Sequence, residues 1–350
     1  MRTPIGISAG RARLRSLLRV LVVVAIAAFL AWQLHRDWPA VSVLRPRVRA
    51  FDLLAALLTG VGAMLALPTA FAVTLQRAGL YRPAFRWFYG RMWLQAYLFR
   101  YVPGKVMLVV ERIRLGAMAG IDRGTSVLLL AWETLLLFVG AGVVLLSVAA
   151  ISARGGERER WMAIAAVSAI ALLVAFPWGL RLLGRLVPRL AWVCSLQLRA
   201  SAQLLVVAIY AAVWLGLGTS FFFACRFFVD LPVGTLPAVV FWFTGAYVAG
   251  LVAAVAPAGL GVREGILAAG LAGLVGGGEA VALAIAGRLW LTAVELACVA
   301  ATRAVPVPGQ KEEGHERHDP PGGGAAALER ALGAAAVETP APARDHAGAE

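Results

Sequence analysis

Long apolar runs alternate with short arginine-bearing stretches along most of the chain. Residues 2–19 carry five arginines and no acid, and the run SLLRVLVVVAIAAFLAWQL, residues 16–34, overlaps their end. Basic-then-apolar is also the plan of a signal peptide. This run is long for that role and ends in tryptophan without a small-x-small site, so it predicts a first transmembrane helix. A second span is expected at about 51–75, with a kink at Pro68. Residues 92–118 are apolar but interrupted. Spans follow at 125–150 and 161–178. Arg181, Arg185 and Arg189 then recur every four residues among leucines, which predicts an amphipathic helix on the membrane surface, bent or ended by Pro188. Residues 200–224 and 236–256 read as spans. Residues 257–278 are apolar but broken by glycine and proline, so they either span or re-enter, and 279–303 is the last span. From 304 to 350 the composition turns polar and rich in proline, glycine and alanine, which predicts a disordered tail.

Composition agrees with that pattern. The 350 residues are 61% hydrophobic and only 15% charged, against roughly 25% charged in soluble domains. Several runs approach the ~20 apolar residues that cross a bilayer. The expected class is an all-α polytopic membrane protein, with a membrane domain at 1–303 and the tail at 304–350.

Charge refines the reading. Lys and Arg number 33 against 19 acids, a net charge of +14. The arginines lie between apolar runs, which marks cytoplasmic loops and headgroup contacts rather than nucleic-acid binding. In the stretch QRAGLYRPAFRWFYGR, arginines alternate with Tyr81, Phe85, Trp87, Phe88 and Tyr89, as interface anchors do. The N-terminus and the loops near 76–91 and 178–200 are expected in the cytoplasm. The loop at 35–50 is also basic and would then lie outside, against the rule. Cys194, Cys225 and Cys298 fall singly and read as buried hydrophobes. The histidines, His35, His315, His318 and His346, lie mostly in the tail. Neither a metal site nor a cofactor is expected.

Two segments combine apolar character with helix breakers and charge. In RYVPGKVMLVVERIRLG, residues 100–116, Pro103 removes a backbone donor and disfavours a helical Val102, and Gly104 adds backbone freedom. One helix should stop there and another start near Gly104. Such irregular backbone survives at membrane depth only where protein or water covers it. A new helix N-terminus exposes N–H groups and partial positive charge. Lys105, the only lysine before residue 311, adds a full charge. Arg100 precedes it, and Arg112 follows on roughly the same face. In PAGLGVREG, residues 257–265, Pro257, Gly259 and Gly261 precede Arg263 and Glu264, and a helix should resume at about Val262. Both are candidate headgroup sites for an anion. Interrupted segments in the two halves of a chain point to a transporter's substrate site. An inverted internal repeat is open here, since the two stretches share only proline, glycine and a cation.

Three further charges fall within spans. Arg288 and Glu295 lie seven residues apart on one face, about 10 Å along the axis, too far for direct contact but bridgeable by a ligand or a third residue. Each is equally open to pairing with another helix. Glu133, near a span start, is either an interfacial residue or part of a charge relay. Glu264 is expected to pair with something other than its neighbour Arg263.

Together RYVPGK with ERIRLG, and the distant PAGLGVREG, resemble the lysylphosphatidylglycerol synthase/flippase transmembrane domain family over roughly residues 15–303. The resemblance implies about eight membrane-embedded segments, some re-entrant, that move an aminoacylated phospholipid between leaflets. It carries site roles to Pro103, Gly104 and Lys105, and to Pro257, Gly259, Gly261, Arg263 and Glu264. Larger members add a soluble acyltransferase-like domain; only the polar tail follows here, so lysyl transfer by this chain is not expected.

The leading expectation is a flippase-like, multi-pass, non-enzymatic translocase of an anionic or aminoacylated phospholipid, or a related lipid, in a bacterial cytoplasmic membrane. Its partners would be membrane lipids and a separate lipid-modifying enzyme. The alternatives are a non-catalytic membrane partner in lipid or envelope biosynthesis and an enzyme acting on a lipid-linked phosphate. The enzyme needs clustered acids, and the acids are scattered singly with no DxD or DxxD.

Overall fold

A computed structural model of the chain describes residues 49–101, 106–152, 199–253 and 261–306, with His35, Ser42, Leu44 and Arg47 as isolated positions before them. The expected span at 16–34, the stretch at 161–189, Pro103, Gly104, Lys105, Pro257, Gly259 and the tail beyond 306 lie outside the described residues.

All the secondary-structure elements among the described residues are helices. The helices are α1 (Ala50–Arg77), α2 (Arg86–Leu98), α3 (Val106–Met118), α4 (Arg123–Ser152), α5 (Ala200–Arg226), α6 (Leu236–Val252), α7 (Val262–Val275) and α8 (Gly277–Ala301). Five stretches are long and apolar enough to cross a membrane: Ala50–Arg77, Arg123–Ser152, Ser201–Arg226, Val233–Val252 and Gly277–Ala304. Pro68 lies inside α1 without ending it. Asp122 starts α4, accepting the Thr125 backbone N–H at 3.0 Å. The Thr125 hydroxyl and this N–H hold its carboxyl below the usual carboxylate range.

The eight helices form two sets of four in the same order. A long helix (α1, α5) ends in an arginine, Arg77 or Arg226. Six residues later comes a proline, Pro83 or Pro232, at a single 3-10 turn, Pro83–Phe85 or Val233–Thr235. A second helix (α2, α6) follows, then, past residues 102–105 or 254–260, which lie outside the described ones, a short helix (α3, α7). A glycine in the left-handed region, Gly120 (φ 75°) or Gly276 (φ 93°), turns the chain into the last long helix (α4, α8).

The equivalent helices α1 and α5 pack antiparallel. Asp52, at the start of α1, pairs with Arg226, at the end of α5, at 3.3 Å. The Ser220 hydroxyl donates to the Ala56 carbonyl at 2.6 Å, and Gly216 sits against Ala63. The two sets therefore run in opposite directions through the bundle, as an inverted repeat does. Neighbour relations obey the same symmetry: α5 packs on α4 as α1 packs on α8, and α6 packs on α4 as α2 packs on α8.

Within each set, the second and third helices form a hairpin. Gly120, just past α3, lies against the Arg82 guanidinium, just before α2. Hence α3 returns to the end of the bundle where α2 began, the end marked by Arg77. In the other set Trp242 covers Gly270, and the Arg263 guanidinium lies over the Tyr247 ring, so α7 retraces α6. That hairpin opens at the opposite end, marked by Asp52. Residues 262–275 are not among the stretches long and apolar enough to cross a membrane. Helix α6 is long enough to span, yet it forms one arm of this hairpin. Helix α8 then runs from the Asp52 end, where Gly287 meets Phe221, to the Arg77 end, where the Arg91 guanidinium donates to the Val305 carbonyl.

The two ends differ in charge. At the Arg77 end lie Arg77, Arg82, Arg86, Arg91, Arg123, Arg199 and Arg303, with Asp122 as the described acid; Arg114 is paired with Glu111. At the Asp52 end Arg47, Arg49 and Arg226 are balanced by Asp52, Asp230 and Glu279. Arg49 lies 3.1 Å from Asp230. The aromatics expected as interface anchors divide: Trp87 is 69% exposed, whereas Phe88 and Tyr89 are buried in the core.

The α1–α5 crossing has no room for a side chain at Gly216, whose Cβ would meet the Ala63 Cβ at 3.0 Å, while one at Gly142 would meet nothing within 4 Å. Overpacking of this kind costs about 1–3 kcal/mol. Gly216→Leu is expected to lower the thermal midpoint in detergent clearly, and Gly142→Leu to leave it close to wild type. Equal midpoints for the two variants would contradict the close crossing.

Candidate functional site

Charged side chains at depth in the bundle concentrate where the hairpins meet the long helices. In the first set, Arg112 on α3 places its Nη2 2.6 Å from Oε1 and 2.5 Å from Oε2 of Glu133 on α4. Trp93 on α2 donates its indole N–H to the same carboxylate at 3.1 Å. The Arg112 guanidinium also lies 4.1 Å from the centre of the Phe71 ring on α1, a cation–π contact. Tyr210 on α5 is buried nearby, and its hydroxyl has no hydrogen-bond partner. Both charged side chains are almost wholly enclosed, at 4% and 7% exposure. A carboxylate left alone there would be costly, so cation, indole and ring together make the burial tolerable.

The second set repeats the device with its charges exchanged. Glu264 on α7 pairs with Arg288 on α8. Its other oxygen accepts the Gly261 backbone N–H at 2.8 Å, which caps the new helix. So the hairpin supplies the cation in the first set and the anion in the second.

A third pair has no symmetric counterpart among the described residues. Arg100, at the end of the first hairpin's descending arm, pairs with Glu295 on α8. Its guanidinium lies 4.0 Å from the Tyr97 ring centre, and Tyr97 stacks on Trp93 at 4.8 Å. Glu295 and Arg288 are two turns apart on α8, about 10 Å. Arg100 lies two residues before the undescribed residues 102–105, and Gly261 directly follows the undescribed residues 254–260. Both hairpins are therefore fastened next to their tips, and both to the same helix.

Arg100 with Glu295, and Glu264 with Arg288, join the two hairpins to α8, Gly261 donates to Glu264, and Arg263 lies over the Tyr247 ring on α6. Arg112 lies elsewhere, sealed against Glu133, and Glu133 is buried rather than interfacial. Arg288 and Glu295 do not bridge each other; each takes a partner from a different hairpin. Sequence reasoning missed Trp93, Tyr97, Tyr210 and Tyr247. The spacing of Trp93, Tyr97 and Arg100 places all three on one helical face, which is the signal that was available. Among the described residues no cluster of histidine, cysteine or acid side chains is arranged to hold a metal. No protein-family model and no curated protein matches the chain.

Removing one partner of a buried pair strands the other at a cost of about 3–5 kcal/mol. Glu133→Gln is expected to destabilise the protein in detergent by that order. Glu133→Leu combined with Arg112→Met should recover much of the loss. Thermal unfolding of the three proteins checks this, and a double variant worse than Glu133→Gln would contradict the enclosed pair.

Proposed function

We propose that the chain is a membrane translocase of the flippase-like class, moving a phospholipid with an anionic or aminoacylated headgroup, or a related lipid, between leaflets. The observation that supports it most is the pair of oppositely directed re-entrant hairpins whose ends converge on one charged helix. Transporters built from inverted repeats place their substrate sites at such interruptions, near mid-membrane. A headgroup crossing hydrocarbon needs its charge matched throughout. Arg100, Arg263 and Arg288 supply matching charge at the described edges of the interruptions, and Lys105 adds a further cation within the first. Acyl chains remain in the surrounding bilayer. Membership of the lysylphosphatidylglycerol synthase/flippase transmembrane family is proposed on the same two motifs.

The arginine excess at the Arg77 end supports a reading in which that end faces the cytoplasm of a bacterial cell, by the positive-inside rule. The basic loop at 35–50 then lies outside. Pairing of Arg47 and Arg49 with Asp230 supports that placement, because it removes the charge conflict. The arginine-rich sequence of residues 2–19 supports a cytoplasmic N-terminus in the same reading. A cysteine introduced at Gly234 should react with an impermeant maleimide added to intact cells, and one at Arg123 only after permeabilisation. The reverse pattern would invert the topology.

Purified protein in liposomes is expected to move labelled anionic or aminoacylated phospholipid between leaflets, with Lys105→Ala and Arg263→Ala at least about tenfold slower, the effect of losing some 1.4 kcal/mol at a rate-limiting site. Folded wild-type protein that moves no lipid, with or without an ion gradient, would overturn the proposal.

A further inference from the structure

We propose that a phosphatidylethanolamine of the leaflet at the Asp52 end binds along the seam of α1, α5 and α8, with one acyl chain in an apolar cavity and its headgroup between Arg47 and Asp230. The inference does not rest on the translocase reading; it needs only that these three helices lie in a bilayer.

The cavity has a volume of about 300 Å³, and its lining includes Leu53 on α1, Phe227 and Phe228 just past α5, and Leu283, Ala286 and Trp290 on α8. Trp290 is the one lining side chain with a strong donor, and its indole N–H is directed to the Ser220 hydroxyl at 3.0 Å. Cavities so lined stay dry and take up apolar ligands. All three helices are long and apolar enough to cross a membrane, so the apolar matter at hand is lipid hydrocarbon. Leu53 on the rim is 43% exposed and Leu283 on the inner wall 1%, so the space opens outward and is closed behind. From Leu283 to Trp290 it follows α8 for about 10 Å, room for a stretch of acyl chain.

A charged group is fastened to the same wall. The Phe227 carbonyl accepts the Arg47 backbone N–H at 2.7 Å, and Asp230 lies two residues past Phe228. Arg49 places its Nη1 3.1 Å from Oδ1 of Asp230. Arg47 places its Nη1 3.7 Å from Oδ2, beyond hydrogen-bond reach. A donor and an acceptor thus stand apart, at 52% and 65% exposure. A headgroup with a phosphate and a primary ammonium suits both: the phosphate accepts from Arg47, and the ammonium donates to Oδ2 of Asp230. No charge is stranded, because Arg49 keeps Asp230 and Arg226 stays 3.3 Å from Asp52. A purely anionic headgroup would be repelled by Asp230 and by the exposed Glu279 in the first turn of α8. Choline has no N–H to donate.

Native mass spectrometry of the delipidated protein in detergent tests this, by titration with phosphatidylethanolamine, phosphatidylglycerol and phosphatidylcholine of identical chains. Phosphatidylethanolamine is expected to bind about tenfold tighter than the other two, the scale of one hydrogen bond to a charged group. Equal affinity for all three, or a preference for phosphatidylglycerol, would overturn the headgroup site and leave ordinary annular lipid. Arg47→Gln and Asp230→Asn change exposed side chains, so both should keep the wild-type thermal midpoint and lose the preference. Retention of it in both would overturn the proposal. Ala286→Phe fills the cavity and should lose the lipid; a folded Ala286→Phe that binds as wild type does would overturn the acyl-chain site. Should that variant lower the midpoint of the lipid-free protein, a chainless headgroup decides the point on wild type. Excess glycerophosphoethanolamine is expected to leave the lipid bound, and displacement by it would overturn the cavity as the anchor.

Discussion

The arrangement depends on how closely α1 and α5 approach each other. Inside a bilayer, helices gain little hydrophobic energy from association, so packing and interhelical hydrogen bonds must hold them. Gly60 and Gly216 allow the approach, and Ser220 uses it, donating to Ala56 and accepting the Trp290 indole N–H at 3.0 Å. One hydroxyl thereby joins α1, α5 and α8. Because α1 and α5 are equivalent members of the two sets and run antiparallel, this contact also fixes the symmetry. Each hairpin is then delivered to the opposite end of the bundle from its counterpart.

Each hairpin brings a second constraint. Its arms must be held against the long helices beside them, and polar groups left unpaired in hydrocarbon are expensive. In both sets a salt bridge between the returning arm and the next long helix does the fixing. Its polarity is reversed between the sets, so the geometry is duplicated and the chemistry is not. Cation on the hairpin gives a sealed core around Glu133. Cation on the long helix leaves Arg288 beside the second interruption, on the helix that also carries Glu295.

Much of this was legible in the residues. Apolar run lengths gave the long helices to within a few positions, since hydrophobicity over some twenty residues averages out local detail. The motif spacing also put Val262 at a helix start. What stayed hidden was pairing across distance. Nothing local tells Glu264 to choose Arg288, 24 residues on, or Arg100 to choose Glu295, 195 residues on. Arg112 was grouped with Lys105 because helical phase puts them on a similar face, but phase does not say what that face meets, and it meets Glu133 and Phe71. The repeat was hidden for a related reason. Its two copies share helix order, the proline after the first long helix and the turning glycine, while their charges are exchanged.

The exchanged charges also distinguish α8 from its symmetric equivalent. Helix α4 occupies the same position in its set as α8, and its one charged partner, Glu133, is enclosed by Arg112, Trp93 and Phe71. No substrate phosphate gains from approaching a carboxylate, and the cation there is already sealed. Helix α8 instead presents an arginine to one hairpin and a glutamate to the other, two turns apart. A headgroup bearing both phosphate and ammonium would find a partner for each charge along that helix, and a purely anionic one would find Arg288 and Arg100. The symmetry of the backbone therefore relates α4 to α8, and the placement of four charged residues, Arg100, Glu264, Arg288 and Glu295, sets the two apart.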